Sequence, residues 1–290
     1  MNKVPAIDIF CEGNKKVGYG HIRRAITLAS QLEKDGISVR ILGLSEDARV
    51  LLPKPATIRS SPRVHIFDLP CVNDDRIRES QSSGYFTVAL DWFGATIPDV
   101  NIAVYPHSEV LGKKAVYIGF QYILIREDVA SYGRATSTHS ANNVLIVLGG
   151  GDLLDQGHET ALFLRKKGLD VTLVQGPLAP NVGSGDGYRV IVNPKNLTQL
   201  LINCDWVVTN GGGCLFEAIC LGKAAFVLPQ TQQETKIARY VESKRAILGI
   251  GSKDLRAFEN VELNIVSERG FKLVDGKGAS RISSIVRGLI

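Results

Sequence analysis

The chain has 290 residues, 44% hydrophobic and 22% charged, a length and composition that suit two globular domains and exclude a fibrous or disordered protein. Its net charge of +5 is spread without a dense Lys/Arg tract, which disfavours nucleic-acid binding. The five cysteines lack metal-type spacing, and no apolar run approaches the ~20 residues of a membrane span. Because a strand is predicted directly after residue 5, we expect no signal peptide, and cysteines that suit small buried hydrophobic positions favour a reducing cytoplasm.

In the first half, short apolar runs alternate with helix-like stretches, a pattern that predicts a parallel sheet with helices on its faces. The first predicted strand, 6–11, precedes a helical stripe over 21–35, which ends at Gly36. The strands predicted next are 39–42, 64–68, 87–91, 100–105 and 116–118. Two of them end in an aspartate, Asp68 and Asp91, which we expect at one edge of the sheet.

The second half repeats this plan after a polar stretch, 129–143, that has no periodicity and predicts an interdomain linker. Strands are predicted at 143–148, 171–174, 189–192, 206–209, 224–228 and 246–250, and helices at 155–167, 197–202, 233–244 and 280–289. We therefore expect an N-terminal domain over 1–136, a C-terminal domain over 142–275, and a last helix, 278–290, that packs back on the N-terminal domain.

Two glycine turns carry the chemistry that we expect. Gly18, Tyr19 and Gly20 follow the first strand and lead into His21 at the start of a helix. Histidine titrates near neutrality, so His21 is either a general base or a residue that only hydrogen-bonds the substrate or backbone. Arg23 occupies the third glycine position of the dinucleotide pattern, which disfavours NAD; Arg23 and Arg24 either contact phosphate or sugar or form a solvated face.

The second turn, Asn210 to Gly213, precedes a helix whose free N–H groups and dipole suit a diphosphate. Glu217, one turn into that helix, suits the two hydroxyls of a ribose, and the alternative is a tight turn with a dipole-compensating Glu. Farther on, Gln232 and Gln233 suit sugar hydroxyls, or else belong to a polar loop that opens a helix. The segment lacks the spacing of a P-loop.

Four segments in this order, 18–24, 119–128, 147–152 and 211–217, resemble the UDP-sugar hydrolases of the pseudaminic acid pathway and their spore-coat relatives of the SpsG type. More distantly, the chain is similar to the MurG-type glycosyltransferases. The resemblance covers nearly the whole chain. It implies an α/β protein with two Rossmann-like domains in a GT-B arrangement around a central cleft, with the nucleotide held mainly by the C-terminal domain.

The resemblance also implies a reaction that needs neither cofactor nor metal. His21 activates a water, which attacks the anomeric carbon of a UDP-linked 2,4-diacetamido-2,4,6-trideoxy sugar, and UDP leaves with inversion. Gly212 and Gly213 face the diphosphate, and Glu217 the ribose. The substrate-binding residues that we expect are Gly18, Tyr19, Gly20, Arg23, Asp91, Tyr122, Gly150, Asn210, Gly211, Gly212, Gly213, Glu217, Gln232 and Gln233.

Two other functions use the same predicted fold. A glycosyltransferase would replace water with an acceptor hydroxyl, and a non-catalytic nucleotide-sugar-binding protein would not need His21. The sequence leaves the sugar, the nucleotide base and the oligomeric state open; the partner that we expect is the nucleotide sugar.

Overall fold

The computed structural model describes residues 5–14, 18–53, 62–71, 73–105, 115–135, 141–152, 154–176 and 187–290. The chain forms two compact units: unit 1 comprises residues 1–126 and 276–290, and unit 2 comprises 127–275. Each unit contains one parallel sheet with helices, so the predicted fold class of two Rossmann-like α/β domains is confirmed. Residues 136–140 of the predicted linker lie outside the described residues.

Unit 1 has a sheet in the order β2-β1-β3-β4-β5-β6, with every described pair parallel. Its strands are β1 (Ala6–Cys11), β2 (Ser38–Gly43), β3 (Val64–Asp68), β4 (Phe86–Leu90), β5 (Val100–Ala103) and β6 (Ala115–Ile118). Its helices are α1 (Gly20–Lys34), α2 (Glu46–Leu51) and α3 (Asp74–Ser82), with a 3-10 turn over Phe120–Tyr122. The chain runs from β1 to β2 on one side and continues in β3 on the other, so the strand order reverses between β1 and β3.

The apolar stripe of α1 explains its position. Ile22, Ala25, Leu28, Ala29 and Leu32 are buried and share one helical face, and the chain turns at Gly36, whose φ of 82° suits glycine.

The C-terminal helix α10 (Gly278–Arg287) packs within unit 1. The hydroxyl of Ser283 donates a hydrogen bond of 2.5 Å to Asp35, just after α1. Gly278 allows close contact with the 3-10 turn, since a Cβ there would lie 2.0 Å from the carbonyl oxygen of Ile123.

Unit 2 has a sheet in the order β12-β11-β10-β7-β8-β9, again parallel in every described pair. Its strands are β7 (Asn143–Val147), β8 (Asp170–Gln175), β9 (Arg189–Val192), β10 (Trp206–Thr209), β11 (Ala224–Val227) and β12 (Gly249–Ile250). Its helices are α4 (Glu127–Ala130), α5 (Gly157–Lys166), α6 (Leu197–Asn203), α7 (Gly213–Cys220), α8 (Gln232–Ser243) and α9 (Asn260–Leu273). The strand order reverses between β7 and β10.

Unit 1 ends ten residues before the predicted limit of 136, because the segment after Arg126 bonds within unit 2. The hydroxyl of Thr198 donates to Asp128 at 2.5 Å, and the N–H of Ala135 donates to the carbonyl of Leu221 at 2.9 Å.

One predicted strand is much shorter than expected. The apolar run 246–250 contributes only Gly249–Ile250 to the sheet. The N–H groups of Arg245 and Ala246 instead bond back to Glu242 and Val241 in the last turn of α8. Arg245 itself has a φ of 55°, so the chain leaves the helix through a left-handed residue before it can pair with β11.

Candidate functional site

The point where the sheet of unit 1 reverses its strand order carries a buried cluster of charged side chains. His21 lies at the start of α1, directly after the loop that follows β1, and Asp68 is the last residue of β3. Cys11 and Asp68 are register partners on neighbouring strands, so the loop to α1 and the end of β3 meet at one edge. Open α/β sheets bind their ligands at this kind of edge.

His21 and Asp68 form a hydrogen-bonded pair. The Nδ1 atom of His21 lies 2.6 Å from Oδ1 of Asp68, whose side chain is 1% exposed. Burial alone would raise the pKa of Asp68, but the charge of Arg24 and the hydrogen bonds from His21 and Arg24 outweigh it and hold that pKa well below its ordinary value. Asp68 is therefore a charged acceptor, Nδ1 carries the proton of the pair, and Nε2 remains the basic nitrogen.

Arg24 occupies the same face of α1 as His21, three residues on. Its Nε donates to Oδ2 of Asp68 at 2.9 Å, and its Nη2 donates to Oδ1 of the same carboxylate. Its Nη1 donates to Oδ2 of Asp91 at 3.0 Å. Burial lowers the pKa of Arg24, but the Asp68 and Asp91 carboxylates more than compensate and raise it well above its usual value. The guanidinium is thus a fixed cation between two carboxylates.

Asp91 is held in place by the backbone as well as by Arg24. It follows β4 with a φ of 53°, a conformation that Asp tolerates better than most residues. Its Oδ1 accepts from the N–H groups of Val104 at 2.7 Å and Tyr105 at 3.0 Å. Burial raises the pKa of Asp91 against the opposing effect of Arg24. The predicted residues His21 and Asp91 are therefore joined through Arg24.

Other predicted residues of unit 1 surround this cluster less closely. Gly18 turns with a φ of 77°, and Tyr19 is the residue before α1. Gly20 and Arg23 are exposed at the first turn of α1. Tyr122 lies in the 3-10 turn with its ring 5.9 Å from that of Tyr117, edge to face. Arg24, and not the exposed Arg23, is therefore the arginine that contacts the His21–Asp68 pair.

In unit 2, the glycines that follow β7, residues 149–151, lie beside the glycine turn 210–213, which follows β10, where the strand order reverses. Gly149 follows β7 with a φ of 74°, and a Cβ there would lie 3.0 Å from Nδ2 of Asn210, which follows β10. Gly212 is the residue before α7. It has no side chain that could accept a hydrogen bond from the first N–H groups of that helix. A Cβ on Gly150 or Gly213 would meet no atom within 4 Å. The arrangement leaves room for an anion at the start of α7.

Glu234 ties the loops around these turns together. Its Oε1 accepts from Nδ2 of Asn210 at 2.6 Å, and its Oε2 accepts from the N–H of Gln230 at 2.7 Å. The carboxamide oxygen of Gln230 in turn accepts from the N–H of Leu154 at 2.9 Å. Burial raises the pKa of Glu234 despite these hydrogen bonds. A Cβ on Gly211 would lie 2.6 Å from the Glu234 carbonyl oxygen, so this turn requires glycine.

The remaining predicted residues of unit 2 lie on the flanking helices. Glu217 is buried in the second turn of α7, whereas Gln232 and Gln233 are exposed in the first turn of α8. Glu234, which the sequence analysis did not select, follows them directly. The sequence pattern that could have identified Glu234 is Thr231–x–x–Glu234, which has the spacing of a capping box. In the structure, Thr231 caps α8 by accepting a hydrogen bond from the N–H of Glu234 at 3.2 Å.

Within the described part of the chain, no group of three His, Cys, Asp or Glu side chains is placed to hold a metal ion. In the same residues, no helix combines the length and apolarity that a membrane span requires.

No known protein-family profile matches the chain. It is 25% identical over 215 residues to the spore coat polysaccharide biosynthesis protein SpsG of Bacillus subtilis, a match that covers 66% of this chain and 62% of that protein. The chain spans about three fifths of the length of the curated relatives that it matches.

MurG of Acinetobacter baumannii and MnaA of S. aureus are among the solved structures that resemble the whole chain. MurG of Acinetobacter baumannii has a TM-score of 0.69 at 12% identity and covers 98% of this chain and 99% of its own. MnaA of S. aureus, solved with UDP, has a TM-score of 0.63 at 12% identity, with 99% and 98% covered. At these identities the likeness establishes the fold. The resemblance predicted from the sequence motifs is confirmed: this chain is similar to SpsG and has a fold like that of MurG.

Proposed function

We propose that this protein hydrolyses a nucleotide sugar, releasing UDP and a free deoxyamino sugar of the 2,4-diacetamido-2,4,6-trideoxyhexose type. The observation that carries the proposal is the His21–Asp68 pair at the strand-order reversal of unit 1, with its 2.6 Å contact at Nδ1. A histidine bonded to a carboxylate through one nitrogen presents the other as a base of fixed direction.

In this mechanism His21 Nε2 accepts a proton from a water molecule while the water oxygen forms a bond to the anomeric carbon. The bond from that carbon to the diphosphate oxygen breaks, and its electron pair leaves with UDP, which inverts the anomeric centre. Asp68 stabilises the imidazolium that forms. We assign the leaving diphosphate to the first turn of α7, where Gly212 and Gly213 offer backbone N–H groups and the positive end of a helix dipole.

The identity of the substrate rests on several lines of support. SpsG is named for polysaccharide biosynthesis, and MnaA, of similar fold, was solved with UDP. The buried Glu217 suits the ribose hydroxyls, and the exposed Gln232 and Gln233 suit sugar or phosphate. The sugar follows from the resemblance to the pseudaminic acid hydrolases.

The test is to incubate the full chain with a panel of UDP-linked amino sugars, without an acceptor, and to follow free UDP and sugar by NMR. We expect release by the wild type and a ~100- to 10,000-fold slower rate in His21→Asn, with UDP affinity retained in calorimetry. The matched control is His158→Asn, because His158 contacts Tyr188 in unit 2 and has no part in the proposal.

Equal rates in His21→Asn and the wild type would refute the assignment of His21. If UDP binds but no substrate of the panel is cleaved, hydrolysis is refuted. Sugar transfer on addition of an acceptor would then identify a glycosyltransferase, and its absence a binding protein.

A further inference from the structure

We propose that Arg24, anchored by Asp91, is a positioning residue that keeps the His21 imidazole unprotonated at neutral pH and so available as a base. This inference deepens the proposed function and rests on it, because it concerns the base of that reaction. The observation behind it is that one carboxylate oxygen, Oδ1 of Asp68, contacts both the imidazole and the guanidinium.

The Nη2 atom of Arg24 lies 3.3 Å from Nδ1 of His21, and its side chain is only 13% exposed. A cation so close to the imidazole disfavours a second positive charge there. A carboxylate at 2.6 Å favours that charge, and Arg24 contacts both oxygens of this carboxylate. The guanidinium therefore offsets the attraction that Asp68 alone would exert on a proton at His21.

Charged groups from three elements of unit 1 form the cluster around the imidazole. Arg24 comes from α1, Asp68 from the end of β3, and Asp91 from the end of β4. Tyr105 follows β5, and burial raises its pKa, so it is neutral. At the end of β1, burial raises the pKa of Cys11 to about 12, which keeps that thiol neutral as well; Glu12 beside it bonds to Ser45.

One carboxylate, that of Asp68, and one guanidinium, that of Arg24, therefore contact the imidazole directly, and the second carboxylate, that of Asp91, contacts the guanidinium. Without Arg24, the negative charge of Asp68 would act on the imidazole unopposed, and His21 would bind a proton more tightly.

Asp91 holds Arg24 in its orientation toward Asp68. A free arginine could rotate away from Asp68, but Nη1 of Arg24 is held by Asp91, and Asp91 is held by two backbone N–H groups. Asp91 thus fixes the plane of the guanidinium, so that Nε and Nη2 both point at Asp68. Asp91 therefore acts through Arg24. This role does not require the direct contact with substrate that the sequence predicts for Asp91.

The experiment is an NMR titration of the histidine rings in the labelled full chain without ligand, with His21 identified by its loss in His21→Asn. In Arg24→Gln, which keeps an amide donor toward Asp68 but removes the charge, we expect the titration midpoint of His21 to rise by about 1 pH unit. Arg24→Met should raise it at least as much, and Arg24→Lys should restore a midpoint near that of the wild type.

Arg23→Gln is the matched control. It removes the same charge from the neighbouring residue, whose side chain is exposed. Its midpoint should stay near that of the wild type, whereas Asp68→Asn should lower the midpoint. If Arg24→Gln and Arg24→Met both fold, as judged by their NMR spectra, and titrate no higher than the wild type, the inference is wrong. If Arg24→Met does not fold, Arg24→Gln and Arg24→Lys decide.

An activity measurement separates this inference from the proposed function. Where a nucleotide sugar is cleaved, the acidic limb of kcat/KM in Arg24→Gln should move to higher pH by the same amount, about tenfold in rate for each pH unit. If no nucleotide sugar is cleaved, hydrolysis fails while the titration still tests Arg24. If cleavage occurs but the midpoint does not move, only the role of Arg24 is refuted.

Discussion

Replacing Asp68 with Asn tests whether the buried charge cluster holds unit 1 together. Asn has nearly the same size, but it removes the negative charge and turns one acceptor into an N–H₂ donor. That donor would face Arg24 or His21, both of which donate to Asp68 in the native structure. Because Asp68 is 1% exposed, water cannot replace the lost contacts without rearrangement.

The size of the effect follows from the contacts that remain. Removing one partner of a buried ion pair costs about 3–5 kcal/mol, because the other charge stays buried and unpaired. Arg24 keeps its bond to Asp91, so we expect the lower end, about 3 kcal/mol in the free energy of unfolding of unit 1. At a urea m-value of about 2 kcal/mol/M, the unfolding midpoint should fall by about 1.5 M.

The chain provides a separate reporter for each unit. Its two tryptophans are Trp92, buried beside the end of β4 in unit 1, and Trp206, buried in β10 of unit 2. Urea unfolding followed by fluorescence in Trp206→Phe therefore reports unit 1, and Trp92→Phe reports unit 2. We expect Asp68→Asn to lower the first midpoint and to leave the second unchanged.

The pH dependence provides an internal check on this reasoning. The pKa of Asp68 is lowered in the folded state, so its stabilising contribution is present above the ordinary carboxyl pKa of about 3.9. It is lost as the pH falls toward the lowered folded value. The difference between wild type and Asp68→Asn should thus shrink as the pH falls below about 4. An unchanged unit 1 midpoint at pH 7 would show that the cluster does not stabilise the fold.

Two further predictions concern other parts of the chain. Gly211→Ala should destabilise unit 2 by about 1–3 kcal/mol and weaken UDP binding in calorimetry, because its Cβ would meet the Glu234 backbone at 2.6 Å. Gly213→Ala, with open space at its Cβ, should leave the stability of unit 2 nearly unchanged; equal losses in both variants would contradict the steric argument. Burial lowers the pKa of His65, so unit 1 should lose stability as the pH falls from about 7 toward 5, where the unfolded chain binds the proton first. The Trp92 signal in His65→Gln should show a flatter pH dependence, and an equally steep one would exclude His65 as the cause.

The alternation of strands and helices could be predicted from the sequence because parallel strands buried on both faces are continuous apolar runs. The run 143–148, for example, became β7 with a one-residue difference. The strand predicted over 246–250 was too long, because apolar residues indicate burial and not pairing with a neighbouring strand. Ala246 and Ile247 are buried, yet they lie outside the sheet. Helix α9 was missed because its apolar residues form a weak stripe, with only Leu263, Ser267 and Gly270 buried.

The sequence predicts Arg23 as a site residue, whereas Arg24 is the arginine that contacts His21 and Asp68 in the structure. Helical spacing places Arg24 on the face of His21, since three residues make nearly one turn, and this much was available from the chain alone. The two carboxylates that bury Arg24 lie 44 and 67 residues away, and they meet it only because β3 and β4 are neighbours in the sheet. A parallel sheet with other strand neighbours would have the same apolar runs. The partners of a charged residue at a strand end therefore depend on strand order, which local patterns do not encode, whereas the histidine that such an edge presents can be identified from its turn.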